Sequence, residues 1–264
     1  MTDICLNLGA SEVRIETAWV GSSDPKAPAI VFLHEGLGSV ALWRDFPQRL
    51  CVALGCRGLV YSRPGYGGSS PRAPGEHWGP DFMHRQAYDV LPALLSRMGL
   101  GAAGERPVLF GHSDGASIAL LFAARHPHAV RGTVALAPHV FVEPVTRSSI
   151  EAAARAFREG PLRERLARYH ADVDSAFWGW CDAWLNPRFM DWNIEAELSG
   201  IRCPVLLVQG LQDEYGTLAQ LRRIEARVPH AQRRELASCG HSPHRDQPEA
   251  VVEAVRAFMA GLGA

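Results

Sequence analysis

A serine, an aspartate and a histidine in this chain could together carry out nucleophilic catalysis. Ser113 lies in the segment Gly111–Gly115, and Asp213 and His241 follow it along the chain. A serine hydroxyl is a weak nucleophile at neutral pH unless a base takes its proton, and an acid must orient that base. We therefore predict Ser113 as the nucleophile, His241 as the general base and Asp213 as the orienting acid.

The residues around Ser113 predict a tight turn between a strand and a helix. A buried apolar strand, Val108–Phe110, leads into the segment, and the apolar spacing of a helix continues to Arg125. Such a turn strains the serine backbone and exposes the hydroxyl. Gly111 and Gly115 lack the Cβ atoms that would collide across it. The helix N-terminus also favours a developing negative charge beside the serine.

Asp213 and His241 each follow a predicted strand, so both are expected at the carboxyl edge of the sheet with Ser113. Each has a rival nearby. Asp213 could instead cap the helix that follows it, and Glu214 stands directly next to it. His244 is close to His241, but the preceding glycine gives His241 the freer approach from its loop.

Strand and helix patterns alternate along most of the chain, which predicts a mostly parallel, doubly wound α/β sheet, because parallel neighbours need a crossover connection. Strands are predicted at 13–20, 29–33, 58–61, 107–110, 130–138, 205–209 and 233–236. Helices are predicted at 43–53, 81–98 (with Asp81 as N-cap), 113–125, 218–227 and 248–262. The core is predicted to comprise residues 1–138 and 201–264, with a helical cap inserted at 139–200.

The predicted cap is rich in aromatic residues and leaves the sheet at the carboxyl end of a strand. Open α/β sheets bind their ligands at that edge. Aromatic clusters of this kind either pack a small core or line a binding cavity. We take Trp178 and Trp184 as candidate substrate contacts.

Composition and charge narrow the classes of function. The chain has 264 residues, is 47% hydrophobic and 21% charged, and carries a formal net charge of −1. This balance gives no reason to expect binding to nucleic acid or a membrane surface. The start of the chain has no signal-peptide pattern, and the six cysteines form no CxxC pair. We expect a cytoplasmic monomer or homodimer that acts on a small molecule without a metal or organic cofactor.

Five segments resemble the α/β-hydrolase superfamily, in the same order and over nearly the full length. They are His34–Ser39, Arg63–Ser69, the turn at Ser113, Gln209–Glu214 and Gly240–Pro243. The resemblance implies a serine hydrolase with a helical cap. It also implies an oxyanion hole formed by backbone N–H groups, one from Asp114 and the other from Gly36, with Leu37 as the alternative donor.

The chain departs from the superfamily in its first motif, because Glu35 follows His34 where a glycine is usual. Asp114 places a second carboxyl beside the nucleophile. These carboxyls could be structural, with Asp114 capping its helix and Glu35 pairing with an arginine such as Arg63. They could instead bind a cationic substrate group, since the chain is also similar to the valacyclovir-hydrolase and biphenyl-hydrolase-like group, some of which accept amino-acid esters.

The leading hypothesis is cleavage of a carboxylic ester or thioester through an acyl-enzyme. A C–C bond hydrolase of meta-cleavage products would use the same three residues. Glu35 and Asp114 motivate a second alternative, an amino-acid ester hydrolase or iminopeptidase. A third is a catalytically silent α/β-hydrolase fold that acts as a ligand receptor, and the intact set of Ser113, Asp213 and His241 argues against it.

Overall fold

An eight-stranded sheet forms the centre of the computed structural model, which describes residues 2–9, 11–73 and 75–263. Its order is β1-β2-β4-β3-β5-β6-β7-β8. The strands are β1 Thr2–Leu8, β2 Ser11–Gly21, β3 Ala29–Leu33, β4 Arg57–Tyr61, β5 Val108–His112, β6 Gly132–Leu136, β7 Val205–Gly210 and β8 Gln232–Leu236. The predicted α/β fold class is confirmed. Residues 1 and 264, at the two ends of the predicted core, lie outside the described residues.

The burial of each strand explains its pairing. β3, β5, β6 and β7 are buried along their whole length and pair in parallel, as expected for strands covered by helices on both faces. β1 was not predicted as a strand. It pairs antiparallel with β2, and within it Leu6 is buried while its neighbours are more exposed. A strand with so few buried residues gives a weak hydrophobic pattern.

The helices lie on both faces of the sheet. They are α1 Phe46–Leu54, α2 Phe82–Arg85, α3 Leu91–Arg97, α4 Asp114–Arg125, α5 Pro144–Glu159, α6 Leu162–Leu166, α7 Val173–Leu185, α8 Glu195–Leu198, α9 Ala219–Arg227, α10 Pro243–Asp246 and α11 Pro248–Ala260. No helix of the described ranges is long and apolar enough to cross a membrane.

The helix predicted at 81–98 is interrupted by a π-helical turn, Gln86–Val90, between α2 and α3. Pro92 has no N–H to donate to the preceding turn, which accounts for the wider turn before it. Asp81 directly precedes the first helical residue, as predicted for the N-cap, but its side chain makes no capping hydrogen bond.

The strand order reverses between β3 and β5, which are parallel neighbours. From β3 the chain continues to β4 on one side, and from β5 it continues to β6 on the other. Ligands of open α/β sheets bind in the crevice at such a reversal. The loops after β3 and β5 meet there. Helices α5–α8 fall within 139–200, and their function as a cap stays a prediction.

Candidate active site

Ser113 occupies the turn between β5 and α4, with φ of 53° and ψ of −120°. Positive φ is strained for a residue with a side chain. The two glycines of the segment permit the turn. A Cβ on Gly111 would lie 2.3 Å from the carbonyl oxygen of Gly115, and one on Gly115 would lie 2.1 Å from that of Leu33. The backbone N–H of Ser113 donates to the Leu136 carbonyl of β6 at 2.9 Å, which ties the turn to the sheet.

The structure brings the side chains of Ser113, His241 and Asp213 together in a hydrogen-bonded row. His241 Nε2 lies 2.9 Å from Ser113 Oγ, and His241 Nδ1 lies 2.8 Å from Asp213 Oδ1. All three side chains are nearly excluded from solvent. The carboxylate accepts the Nδ1 proton, which leaves the Nε2 lone pair directed at the serine hydroxyl.

Asp213 is held as a carboxylate by several donors. Oδ1 also accepts the backbone N–H groups of Tyr215 at 2.8 Å and Gly216 at 3.1 Å, and Oδ2 accepts from Gln209 Nε2 at 3.2 Å. Burial raises the pKa of Asp213, but the hydrogen bond and charge of His241 and the Tyr215 N–H outweigh burial, so the pKa is lower than usual. The acid therefore stays ionised beside the base.

The two rival residues lie elsewhere. Glu214 Oε2 accepts a hydrogen bond from the backbone N–H of His241 at 3.1 Å. Glu214 therefore stabilises the loop that carries His241 and does not contact its imidazole nitrogens through this bond. The ring of His244 packs against those of Trp43 and His112, with centroids 4.8 Å away in each case.

The two loops predicted to form an oxyanion hole flank Ser113. Asp114 is the first residue of α4, and its N–H therefore has no acceptor within the helix. In the loop after β3, the Gly38 N–H donates to the Glu35 carbonyl at 3.1 Å. Gly36 and Leu37 occupy the centre of that turn, so the N–H of neither is used to close it. Both remain candidate donors.

His34 and Arg63 fix the turn at Glu35. His34 Nδ1 donates to the Glu35 carbonyl at 2.7 Å, and its Nε2 accepts the Arg63 backbone N–H at 2.9 Å. Burial and the Arg63 charge hold the pKa of His34 well below its usual value, which matches a neutral ring with one donor and one acceptor. Arg63 Nη2 donates to the same Glu35 carbonyl at 2.8 Å.

The structural partners predicted for Glu35 and Asp114 are wrong. The Glu35 carboxylate lies 3.5 Å from His112 Nδ1, while Arg63 binds the Glu35 backbone instead. Asp114 does not cap its helix. Its Oδ1 accepts from Trp184 Nε1 at 3.1 Å, and its Oδ2 lies 3.9 Å from Arg63 Nη2. Burial raises the pKa of Asp114 more than Arg63 and Trp184 lower it.

The tryptophans of α7 divide between two faces of the helix. Trp184 donates to Asp114 beside Ser113, and its role as a substrate contact stays a prediction. Trp178 packs against Phe157 and Phe177 with ring centroids 5.6 and 5.1 Å away. Trp180 was not singled out by the sequence reasoning. A Cβ on Gly36 would lie 2.1 Å from the indole nitrogen of Trp180. Trp180 therefore covers the loop after β3, which includes Gly36 and Leu37 and is called the oxyanion loop below. The spacing of four residues between Trp180 and Trp184 places both on one helix face.

Histidines and carboxyls are numerous around Ser113, and such side chains can bind metal ions. Across 2–9, 11–73 and 75–263, no group of three or more His, Cys, Asp or Glu side chains could hold one.

Comparison with protein families gives a match to the alpha/beta hydrolase family over residues 30–254. Among individual proteins, polyketide synthase ThaQ from Burkholderia thailandensis is 28% identical over 262 residues, which is 89% of this chain but only 12% of that protein. Esterase Rv0045c from Mycobacterium tuberculosis is 26% identical over 91% of this chain and 84% of its own length.

A solved structure has the same fold. The malate-bound esterase from Thermogutta terrifontis superposes with a TM-score of 0.76 at 19% identity, and the match covers 100% of both chains. At this identity the likeness shows the fold alone.

Proposed function

This chain is a hydrolase of the alpha/beta hydrolase family, and we propose that it cleaves carboxylic esters or thioesters through an acyl-enzyme on Ser113. The observation that carries the proposal is the row Ser113, His241, Asp213, with separations of 2.9 and 2.8 Å. A serine bonded to one nitrogen of a histidine, whose other nitrogen is bonded to a carboxylate, is the arrangement of an activated nucleophile.

In the first half-reaction, Ser113 Oγ attacks the substrate carbonyl carbon while His241 Nε2 takes its proton. Asp213 stabilises the imidazolium that results. The carbonyl oxygen becomes an oxyanion and accepts hydrogen bonds from the N–H groups of Asp114 and Gly36. Collapse of this intermediate breaks the C–O or C–S bond, and His241 returns the proton to the departing alcohol or thiol.

In the second half-reaction, a water molecule replaces the leaving group. His241 takes a proton from that water as it attacks the acyl carbon, and the same two N–H groups bind the second oxyanion. Release of the acid restores the Ser113 hydroxyl. Each chemical role therefore falls on a side chain or N–H group that lies around one point, at the carboxyl ends of β3 and β5.

The contacts of Asp114 do not favour the alternative in which its carboxyl binds a substrate amino group. One of its oxygens accepts from Trp184, and the other faces the guanidinium of Arg63 at 3.9 Å. A buried guanidinium therefore already lies beside the Asp114 carboxyl, where a substrate cation would have to bind. The name of the esterase relative also supports ester cleavage.

Replacement of the nucleophile tests the proposal. We expect Ser113→Ala to lower kcat on p-nitrophenyl esters and short acyl thioesters by at least about 10³-fold, because no oxygen remains to form the acyl-enzyme. Labelling by a fluorophosphonate should disappear. Ser148→Ala, at an exposed cap serine, is the matched control and should retain both. Full labelling of Ser113→Ala would refute the assignment, and turnover of a dienoate ring-fission product alone would favour the C–C hydrolase.

A further inference from the structure

We propose that Glu35 and His112 form a second carboxylate–histidine pair that positions His241 relative to the oxyanion loop. Neither residue touches the reacting atoms in the mechanism above. The inference rests on the proposed function, because it assigns positioning residues to the same site. Three observations support it: the geometry of the pair, its bond to the His241 backbone, and the bonds made by the Glu35 carbonyl.

His112 connects the Glu35 side chain to the backbone of His241. His112 Nε2 lies 2.7 Å from the His241 carbonyl oxygen, which can only accept, so Nε2 carries a hydrogen. The other ring nitrogen, Nδ1, lies 3.5 Å from Glu35 Oε2. The His112 ring is 1% exposed, so packing and these two neighbours determine its orientation.

His241 is held through both polar groups of its backbone. Its carbonyl accepts from His112, and its N–H donates to Glu214 Oε2 at 3.1 Å. The preceding N–H, of Gly240, donates to Asp246 Oδ2 at 2.8 Å. These bonds fix the peptide planes on each side of His241, and thus the direction in which its side chain leaves the backbone.

The backbone of Glu35 holds the oxyanion loop. Its carbonyl oxygen accepts from His34 Nδ1, Arg63 Nη2 and the Gly38 N–H at 2.7, 2.8 and 3.1 Å. One residue therefore contacts the oxyanion turn through its backbone and, by way of His112, the histidine loop through its side chain. A glycine at this position would have the first contact but not the second.

This link determines which kinetic constant should change. Loss of the Glu35 carboxylate removes the group that faces His112 Nδ1 and so loosens the bond from His112 to the His241 carbonyl. A displacement of a catalytic group by about 1 Å can cost up to about 10²-fold in rate. In the proposed mechanism the pair positions His241 and does not bind substrate, so the effect should fall on kcat rather than KM.

The test is a double-mutant cycle on the full chain. We expect Glu35→Gln and His112→Gln each to lower kcat on a p-nitrophenyl ester about 10- to 100-fold, with KM changed less than about threefold. The double variant should be no slower than the slower single variant, because the two residues act as one unit. Glu253→Gln, at an exposed carboxylate of α11, is the charge-matched control and should keep wild-type kcat.

A spectroscopic readout separates positioning from general loosening. The proton between His241 Nδ1 and Asp213 should give a downfield resonance that shifts or broadens in Glu35→Gln while the melting temperature changes little. Wild-type kcat in folded Glu35→Gln, or losses that multiply in the double variant, would overturn the proposal. This resonance needs no substrate, so it tests the pair even if Ser113→Ala disproves the proposed function.

The variant Glu35→Asp keeps the negative charge on a side chain that is one methylene shorter. Its kcat provides a second test of the pair. Partial recovery of kcat relative to Glu35→Gln supports the pair. Should Glu35→Gln not fold, His112→Gln decides. A folded His112→Gln with kcat lower by about tenfold or more supports the proposal, and a smaller loss overturns it.

Discussion

At the scale of single residues, the site combines a strained backbone at the proposed nucleophile, Ser113, with a firmly bonded carboxylate at the proposed acid, Asp213. The positive φ of Ser113 costs on the order of 1–3 kcal/mol and persists because surrounding bonds determine it. The N–H of Ser113 is bonded to β6, and Gly115 packs directly against the β3 backbone. Asp213, in contrast, accepts from His241, two backbone N–H groups and Gln209. The position of the Asp213 side chain therefore does not depend on its charge alone.

This difference predicts the effect of Asp213→Asn. The amide retains the shape of the carboxylate and can still accept backbone N–H groups, but it has no charge to stabilise the imidazolium. We expect kcat to fall by about 10⁴-fold, with little change in KM or in the melting temperature. Steady-state kinetics and thermal unfolding measure both quantities. Asp182→Asn, at an exposed carboxyl of α7, should change neither. A loss of less than about tenfold would remove Asp213 from the proposed mechanism.

At the scale of elements, the fully buried strands gave the clearest predictions. The strand β3 and the strand leading to Ser113 are continuous apolar runs, and the residues after them had to meet at one sheet edge. The order of strand, loop and helix therefore located Ser113, Asp213 and His241. The half-exposed β1 gave no comparable signal, since its alternation buries little beyond Leu6.

Contacts between distant elements could not be predicted in the same way. The partner of Glu35 is His112, the last residue of β5, which extends past its predicted end. Nothing in either segment alone indicates that pairing, because it depends on the register of β3 against β5. Trp180 could have been found, since it shares a helix face with Trp184.

The helix α7 leads to a prediction about acyl chain length. Trp180 fills the space above Gly36, while Trp178 packs on the other side of the helix. We expect Trp180→Leu to open space above Gly36 and to raise the preference for hexanoyl over butyryl p-nitrophenyl ester by about 15-fold. The hexanoyl chain buries two more methylenes, at about 0.8 kcal/mol each. Trp178→Leu is the matched control and should leave the ratio of kcat/KM unchanged. An equal change in both variants would contradict the placement of the acyl chain beside Trp180.

At the scale of the whole molecule, buried histidines connect the site to the stability of the fold. His34, His139 and His244 are each at most 3% exposed. Burial lowers the pKa of His139 from 6.5 to about 3 and holds those of His34 and His244 well below 6.5. All three are therefore neutral in the folded chain at pH values where the unfolded chain binds protons.

These lowered pKa values predict the direction of acid unfolding. As the pH falls below 6.5, the unfolded chain takes up protons that the folded chain does not, so folding loses stability. Stability is thus retained above 6.5 and declines towards the folded pKa of about 3. The slope is about 1.4 kcal/mol per pH unit for each histidine, or roughly 4 for the three. Asp213 contributes only below its ordinary pKa of 3.8, so the histidines act first.

Urea unfolding at two pH values measures this loss. Between pH of about 7.5 and 5.5, the free energy of unfolding should fall by roughly 4 kcal/mol, which is an upper figure for three fully buried rings. His139→Asn should reduce the pH-dependent part by about a third, whatever its effect on absolute stability, because one proton-binding difference is removed. His77→Asn, at an exposed histidine, should leave the difference unchanged. Equal unfolding free energies at both pH values would mean that the buried rings take up protons without unfolding.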